Sequence, residues 1–166
     1  DAELPLLPHA LGEAGIPYHA PARDVWAQQN TFRALTALLT LRPAEMHRHQ
    51  LVELLSTGKV SNSPSLRAFD AGSRDRLGTA LTGSDWDAVL DTAARQDEDG
   101  TPERERVPER SVTAARWVVD LQATLAPLTE AESWEGFASA FRAAALDVLT
   151  LGKQQQSIYL DPLVDL

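Results

Sequence analysis

Apolar residues recur at three- and four-residue spacings along most of the chain, which is the period of a helix buried on one side. In residues 3–14, Leu4, Leu7 and Leu11 form one stripe, so a short helix is expected there. Pro5 suits a first turn, Pro8 pushes the start later, and Gly15 stands where a C-terminal cap belongs. Ile16-Pro17-Tyr18-His19 then reads as a short extended segment, closed by Pro21. The next helix is expected over 30–41, capped by Asn30 or Thr31, with Phe32, Leu35, Leu38 and Leu39 on a shared face. Pro43 breaks it. Residues 44–57 predict a further helix, with Met46, Leu51, Leu54 and Leu55 inward and Gly58 as its stop. Two helices joined by so short a link are expected to be antiparallel neighbours.

The pattern loosens over 58–83. Ser61-Asn62-Ser63-Pro64 is a turn cluster, and 65–71 and 73–81 read as two short helices punctuated by Gly72, Gly78 and Gly83. Ser84 caps a helix to about residue 94 that carries Trp86, Val89 and Leu90, with Asp85 and Asp87 at the positive end of its dipole. Residues 96–110 hold six acids, three arginines, two prolines and a glycine, and read as a solvated, mobile acidic loop. A long helix follows over 109–126, where Trp117, Leu121 and Leu125 step by four and Val118 joins them; Pro127 is its expected stop. Thr129 and Glu132 have the spacing of a capping box for a last helix that runs to about residue 151 with Trp134, Phe137, Phe141, Ala145, Val148 and Leu149 on one face. In the 153–166 tail, Ile158-Tyr159-Leu160 reads as a short strand ended by Asp161-Pro162. The expected fold is therefore mainly α, an irregular bundle of six or seven helices with at most one or two short strands.

Composition narrows the chemistry. At 166 residues, with 43% apolar and 23% charged residues, the chain can bury a real core without staples. It has no cysteine, which excludes disulfides, thiolate metal sites and a cysteine nucleophile. No apolar run approaches the roughly 20 residues of a membrane span and no signal peptide is visible, so a cytoplasmic chain with no membrane partner is expected. The sole methionine is Met46 and the sequence opens at Asp1, as expected of a processed chain or a piece of a longer one. The formal charge of -9 sits wholly in residues 84–166, with sixteen acids against seven bases, while 1–83 balance eight against eight. Such a chain is not a free-standing nucleic-acid binder; contact with DNA is expected to be local or supplied by other domains.

Few residues advertise catalysis. On a regular helix His47 and His49 point about 200° apart and cannot share a metal. His9 and His19 have no carboxylate cluster to complete a site. Paired carboxylates such as Asp85 with Asp87 and Glu130 with Glu132 fall at helix starts, where capping accounts for them. No phosphate-binding Gly-rich loop and no nucleophile elbow occurs. Trp117 and Trp134 fall on core faces; Trp26, in a less regular stretch, is the better stacking platform for a base. Arg33, Arg42 and Arg48 lie on or near the first helix pair and are candidate phosphate contacts.

One stretch is more specific. Leu6-Leu7 through Leu11, Glu13-Ala14-Gly15-Ile16-Pro17-Tyr18, Phe32-Arg33-Ala34-Leu35, Leu38-Leu39-Thr40-Leu41 and Arg48-His49-Gln50-Leu51-Val52-Glu53-Leu54-Leu55 resemble a segment of UvrD/Rep-type superfamily I DNA helicases and of the related RecB/AddB-like helicase–nucleases with a PD-(D/E)XK nuclease. In those families a helix and short strand leave the second motor domain, and the chain enters a helical insertion, the 2B domain. The resemblance covers roughly residues 4–60. It implies that 1–20 are a remnant of a RecA-like motor domain, that 21–152 are a 2B-like accessory domain, and that 153–166 are a tail. The family's DNA-gripping hairpin has no match; Lys59-Val60-Ser61-Asn62-Ser63 stands in its place.

The resemblance thus implies a non-catalytic accessory domain of an ATP-dependent DNA helicase or helicase-like exonuclease of DNA repair and recombination, orienting DNA or bracing the motor domains. Its DNA contacts would be Arg33, Arg42, Arg48, Lys59 and Trp26, with no metal and no cofactor of its own. ATP and magnesium belong to the flanking motor domains, and those domains or a nuclease domain are the expected partners. A strand left without its sheet would expose an edge, giving self-association with another copy or pairing with the tail strand. The alternative is a free-standing acidic module that binds a basic protein partner.

Overall fold

The computed structural model describes residues 22–74 and 83–163. Among them are seven α-helices and no β-strand: α1 (Ala22–Thr40), α2 (Arg48–Ser56), α3 (Leu66–Arg74), α4 (Gly83–Glu98), α5 (Glu109–Glu130), α6 (Trp134–Val148) and α7 (Lys153–Tyr159). Short 3-10 turns lie at Pro43–Glu45, Glu103–Glu105 and Asp161–Leu163. The fold is thus the mainly α bundle expected from the pattern. The helix and extended segment expected over 3–19 lie outside the described residues. No helix among the described residues is long and apolar enough to cross a membrane.

α5 is the central element, packed against α3, α4 and α6. Its buried stripe is Ser111, Ala114, Ala115, Val118, Leu121 and Leu125. The alanines and serine keep part of that stripe low, so a neighbour can come close. α3 does so at Gly72, where a Cβ would collide with the Arg110 carbonyl oxygen. The buried Ser111 hydroxyl donates to the Gly72 carbonyl at 2.8 Å. α3 runs unbroken through Gly72 to Arg74, where the sequence suggested a break; the remainder of the helix expected over 73–81 lies outside the described residues. Above this crossing Phe69 packs 5.8 Å from Trp86 and edge-on to Trp117 at 5.5 Å, an aromatic cluster that joins α3, α4 and α5.

α1 begins at Ala22, well before the expected cap. Nothing in 22–29 breaks a helix, and Thr31 is buried rather than capping, its hydroxyl accepting from Gln155 Nε2 at 2.8 Å. The helix expected over 44–57 divides into the Pro43–Glu45 turn and α2. His47 is extended, and its N–H donates to Gln50 Oε1 at 3.1 Å. α2 ends on Gly58, whose φ of +64° is the left-handed conformation of a C-terminal stop. α5 passes its expected stop and runs one more turn to Glu130; Pro127 stands exposed in the last turns, where the bond it cannot make and the crowding of its ring disturb only the end of the helix. The capping box at Thr129 does not form. Thr129 lies inside α5 and its hydroxyl donates to the Ala126 carbonyl, while Ser133 Oγ caps α6 by accepting from the Gly136 N–H at 3.1 Å.

The tail corrects the strand expectation. Ile158 and Tyr159 belong to α7 and Leu160 to its buried cap. The unbranched Gln154, Gln155 and Gln156 favour helix, and the Gly152 N–H is satisfied by Gln155 Oε1. With no strand among the described residues there is no exposed strand edge, and self-association by edge pairing is overturned. Among the described residues the one β-type contact is an isolated antiparallel bridge between Val60 and Leu149, with Ser61 N–H donating to the Val148 carbonyl at 2.8 Å. This bridge, together with Leu149 turning extended, ends α6 before the expected residue 151.

Replacing Gly72 with alanine is expected to force α3 off α5 and to cost about 2 kcal/mol, whereas Ser111→Ala costs about 1 kcal/mol by leaving the Gly72 carbonyl without its donor. Urea denaturation of both variants checks the order.

Candidate functional site

The residues proposed to contact DNA do not converge. Arg33 is exposed on α1. Arg42 lies past the end of α1 in extended conformation, with about two helical turns between Arg33 and the end of that helix, and sits 3.8 Å from the Glu45 carboxylate. Lys59 follows α2, half-buried, with its carbonyl accepting from Thr150. Trp26 falls within α1, and its side chain lies outside the described residues.

Arg48 is turned inward. Its side chain is 12% exposed, Nε donates to Ser73 Oγ at 2.9 Å, and Nη2 pairs with Asp70 Oδ1. Arg74 Nε reaches the same carboxylate oxygen from one turn away at 3.1 Å. Burial pulls the Arg48 guanidinium below its ordinary pKa, and the like charge of Arg74 adds to this. Asp70 therefore serves two guanidiniums and fastens α2 to α3. The geometry gives Arg48 an internal load.

The histidines differ from the regular-helix expectation. His47 is extended and only His49 is helical, so their rings stack at 5.6 Å with planes 15° apart instead of pointing away from one another. Stacked rings direct their in-plane lone pairs along parallel planes, so the pair does not converge on one ion. Among the described residues no group of three or more histidine, aspartate and glutamate side chains is placed to hold a metal.

Two depressions are polar. A cavity of about 120 Å³ between α5 and the end of α6 is lined by Ser61, Asn62, Asp120, Thr124 and Asp147, with Thr124 Oγ1 3.4 Å from Asp147 Oδ2. A groove of about 490 Å³ runs between α4, α5 and the 96–110 segment. That segment is solvent-exposed, as its composition implies, and it is also tied down. Gln96 spans it, accepting from the Val107 N–H at 2.7 Å and donating to the Glu105 carbonyl, while Arg106 reaches the Thr101 carbonyl and the Asp97 carboxylate. α4 extends into its start, to Glu98. The charges that line the groove thus partly satisfy one another.

What the surface does offer is apolar. α1 buries Ala34, Leu35, Ala37, Leu38 and Leu41 yet leaves Phe32 61% and Leu39 49% exposed. Seven residues apart, these two fall on one line along the helix. Trp134 is 56% exposed at the first position of α6. The sequence pattern placed all three inward. The available signal was width: positions 31, 34, 35 and 38 already fill a stripe, so 32 and 39 must fall outside it. Trp134 comes directly after its serine cap, before the helix has entered the core.

No family model matches this sequence, and neither a curated protein nor a solved structure matches it significantly.

Asp70→Asn is expected to destabilise the chain by about 2 kcal/mol, because it strands the buried Arg48 charge, whereas Arg48→Met costs less, since charge and partner requirement leave together. Chemical denaturation of the two variants gives the order directly.

Proposed function

We propose that this chain is a non-catalytic helical accessory domain of an ATP-dependent DNA helicase or helicase-like exonuclease of DNA repair or recombination, and that it braces the motor domains. A cytoplasmic location goes with this reading. The observation that carries it is α1, a helix apolar on two sides: one side is sunk in its own bundle and the other shows Phe32 and Leu39 to a neighbour. α1 directly follows the residues that the family resemblance assigns to a motor domain, so that domain is the neighbour in question. The resembling positions Leu35, Leu38, Leu41, Leu51, Leu54 and Leu55 are all buried, so the resemblance falls on packing positions of this bundle. Bracing is favoured over gripping DNA because Arg48 is engaged internally, Arg42 lies beside Glu45, and the net charge is -9.

The flanking coding sequence and a binding titration test this together. A phosphate-binding loop is expected upstream, and the flanking motor segment, produced separately, is expected to bind the purified chain at about micromolar Kd. Phe32→Ser with Leu39→Ser should weaken that binding at least about tenfold without lowering the melting temperature. Stop codons on both sides with no motor motif, or unchanged affinity of the double variant, overturns the reading in favour of a free-standing acidic interaction module.

A further inference from the structure

We propose that the aromatic stack headed by Trp134 is a docking point for an arginine- or lysine-bearing segment of a protein partner, whose cation lies on the exposed indole in an acidic stretch of the chain. The inference stands apart from the helicase reading, since it rests on a different surface.

Trp134 is exposed but not loose. Its ring stacks on Phe137 at 5.7 Å, and Phe137 stacks on Phe141 at 6.4 Å with planes 4° apart. Phe141 is buried in the core. The three residues step along α6 from solvent to interior, so the indole is tied through Phe137 to the core while more than half of it stays exposed. A rigid aromatic platform loses little side-chain entropy when it binds. Burying Trp134 inside its own bundle would be the ordinary outcome for so large an apolar side chain.

The charges around it select the occupant. Glu130, Glu132 and Glu135 lie within four residues of Trp134, all are exposed, and none forms an ion pair among the described residues. The positive end of α6 offsets Glu135 in part. Arg142, the one base on α6, is engaged with Asp161 at 3.2 Å. An exposed indole in a stretch that carries three exposed glutamates within four positions is complementary to a guanidinium or an ammonium, which gains from the ring quadrupole and from the local negative charge. A phosphate backbone would meet repulsion from the same three side chains.

The test uses the full chain with indole nitrogens labelled, and a capped peptide in which one glycine separates two arginines. The Trp134 indole resonance is assigned by its loss in Trp134→Phe. We expect it to shift on titration with a Kd on the order of 1 mM at low salt and to weaken as salt rises. The same peptide with citrulline in place of arginine should leave the resonance unmoved. Glu130→Gln, Glu132→Gln and Glu135→Gln together should weaken binding about tenfold, while the distant pair Glu103→Gln and Glu105→Gln should not. Circular dichroism confirms that each variant is folded. A resonance that does not move with the arginine peptide overturns the proposal. So does an equal response to citrulline, or an equal loss in the distant pair, which would reduce the effect to overall charge.

Discussion

The close approach of α3 to α5 at Gly72 and Ser111 is the constraint on which the rest of the bundle depends. A glycine on one helix and small residues on the other bring the backbones near enough for a serine hydroxyl to reach a carbonyl across the interface. That spacing sets where Phe69 falls, and Phe69 in turn meets Trp86 of α4 and Trp117 of α5. It also fixes Asp70 and Ser73, which hold Arg48 and thereby α2. One small-residue crossing thus positions four helices. The apolar packing above it supplies the burial, and the polar contacts beside it set the register.

Helix existence was legible in the sequence because a buried stripe leaves a periodic trace. Leu35, Leu38, Leu51, Leu54, Leu121 and Leu125 were all placed inward and all are buried. Helix ends were less legible, for local reasons. Thr31 has a capping residue's chemistry, yet a partner far along the chain, Gln155, takes its hydroxyl into the interior. Thr129 with Glu132 matched a capping pattern, but the helix before it had not finished. In the tail, the β-branched and aromatic residues at 158 and 159 weigh towards strand, while the helix-forming glutamines before them decide for helix. Side-chain direction was least legible. Trp134 and Phe32 belong to residue types that ordinarily go inward; Phe32 falls outside the finished width of its helix's buried stripe, and Trp134 stands at the first helical position, before its helix enters the core.

The same logic separates packing from recognition. Among the described residues of the family resemblance the buried ones are Ala34 and six leucines, and these speak to a way of packing helices. The features that distinguish this molecule's surface are elsewhere: an apolar line along α1 and an aromatic column that surfaces beside acidic residues at the start of α6. The arginine most prominent in the motif, Arg48, is spent on holding two helices together. Its guanidinium lies between α2 and α3 because a planar fork can serve a hydroxyl and a carboxylate at once, which a lysine cannot do in the same way.

The Val60–Leu149 bridge has a consequence for the order of events during synthesis. Its flanking bond joins Ser61 to Val148, 87 positions apart, and the Thr31–Gln155 bond spans 124. A chain emerging from the ribosome N-terminus first exposes α1, α2 and α3 long before their partners exist. During that interval Leu38, Leu51 and Phe69 have only one another to cover them. The first half therefore gains its full complement of contacts only when the arrival of α6 and α7 closes those long loops.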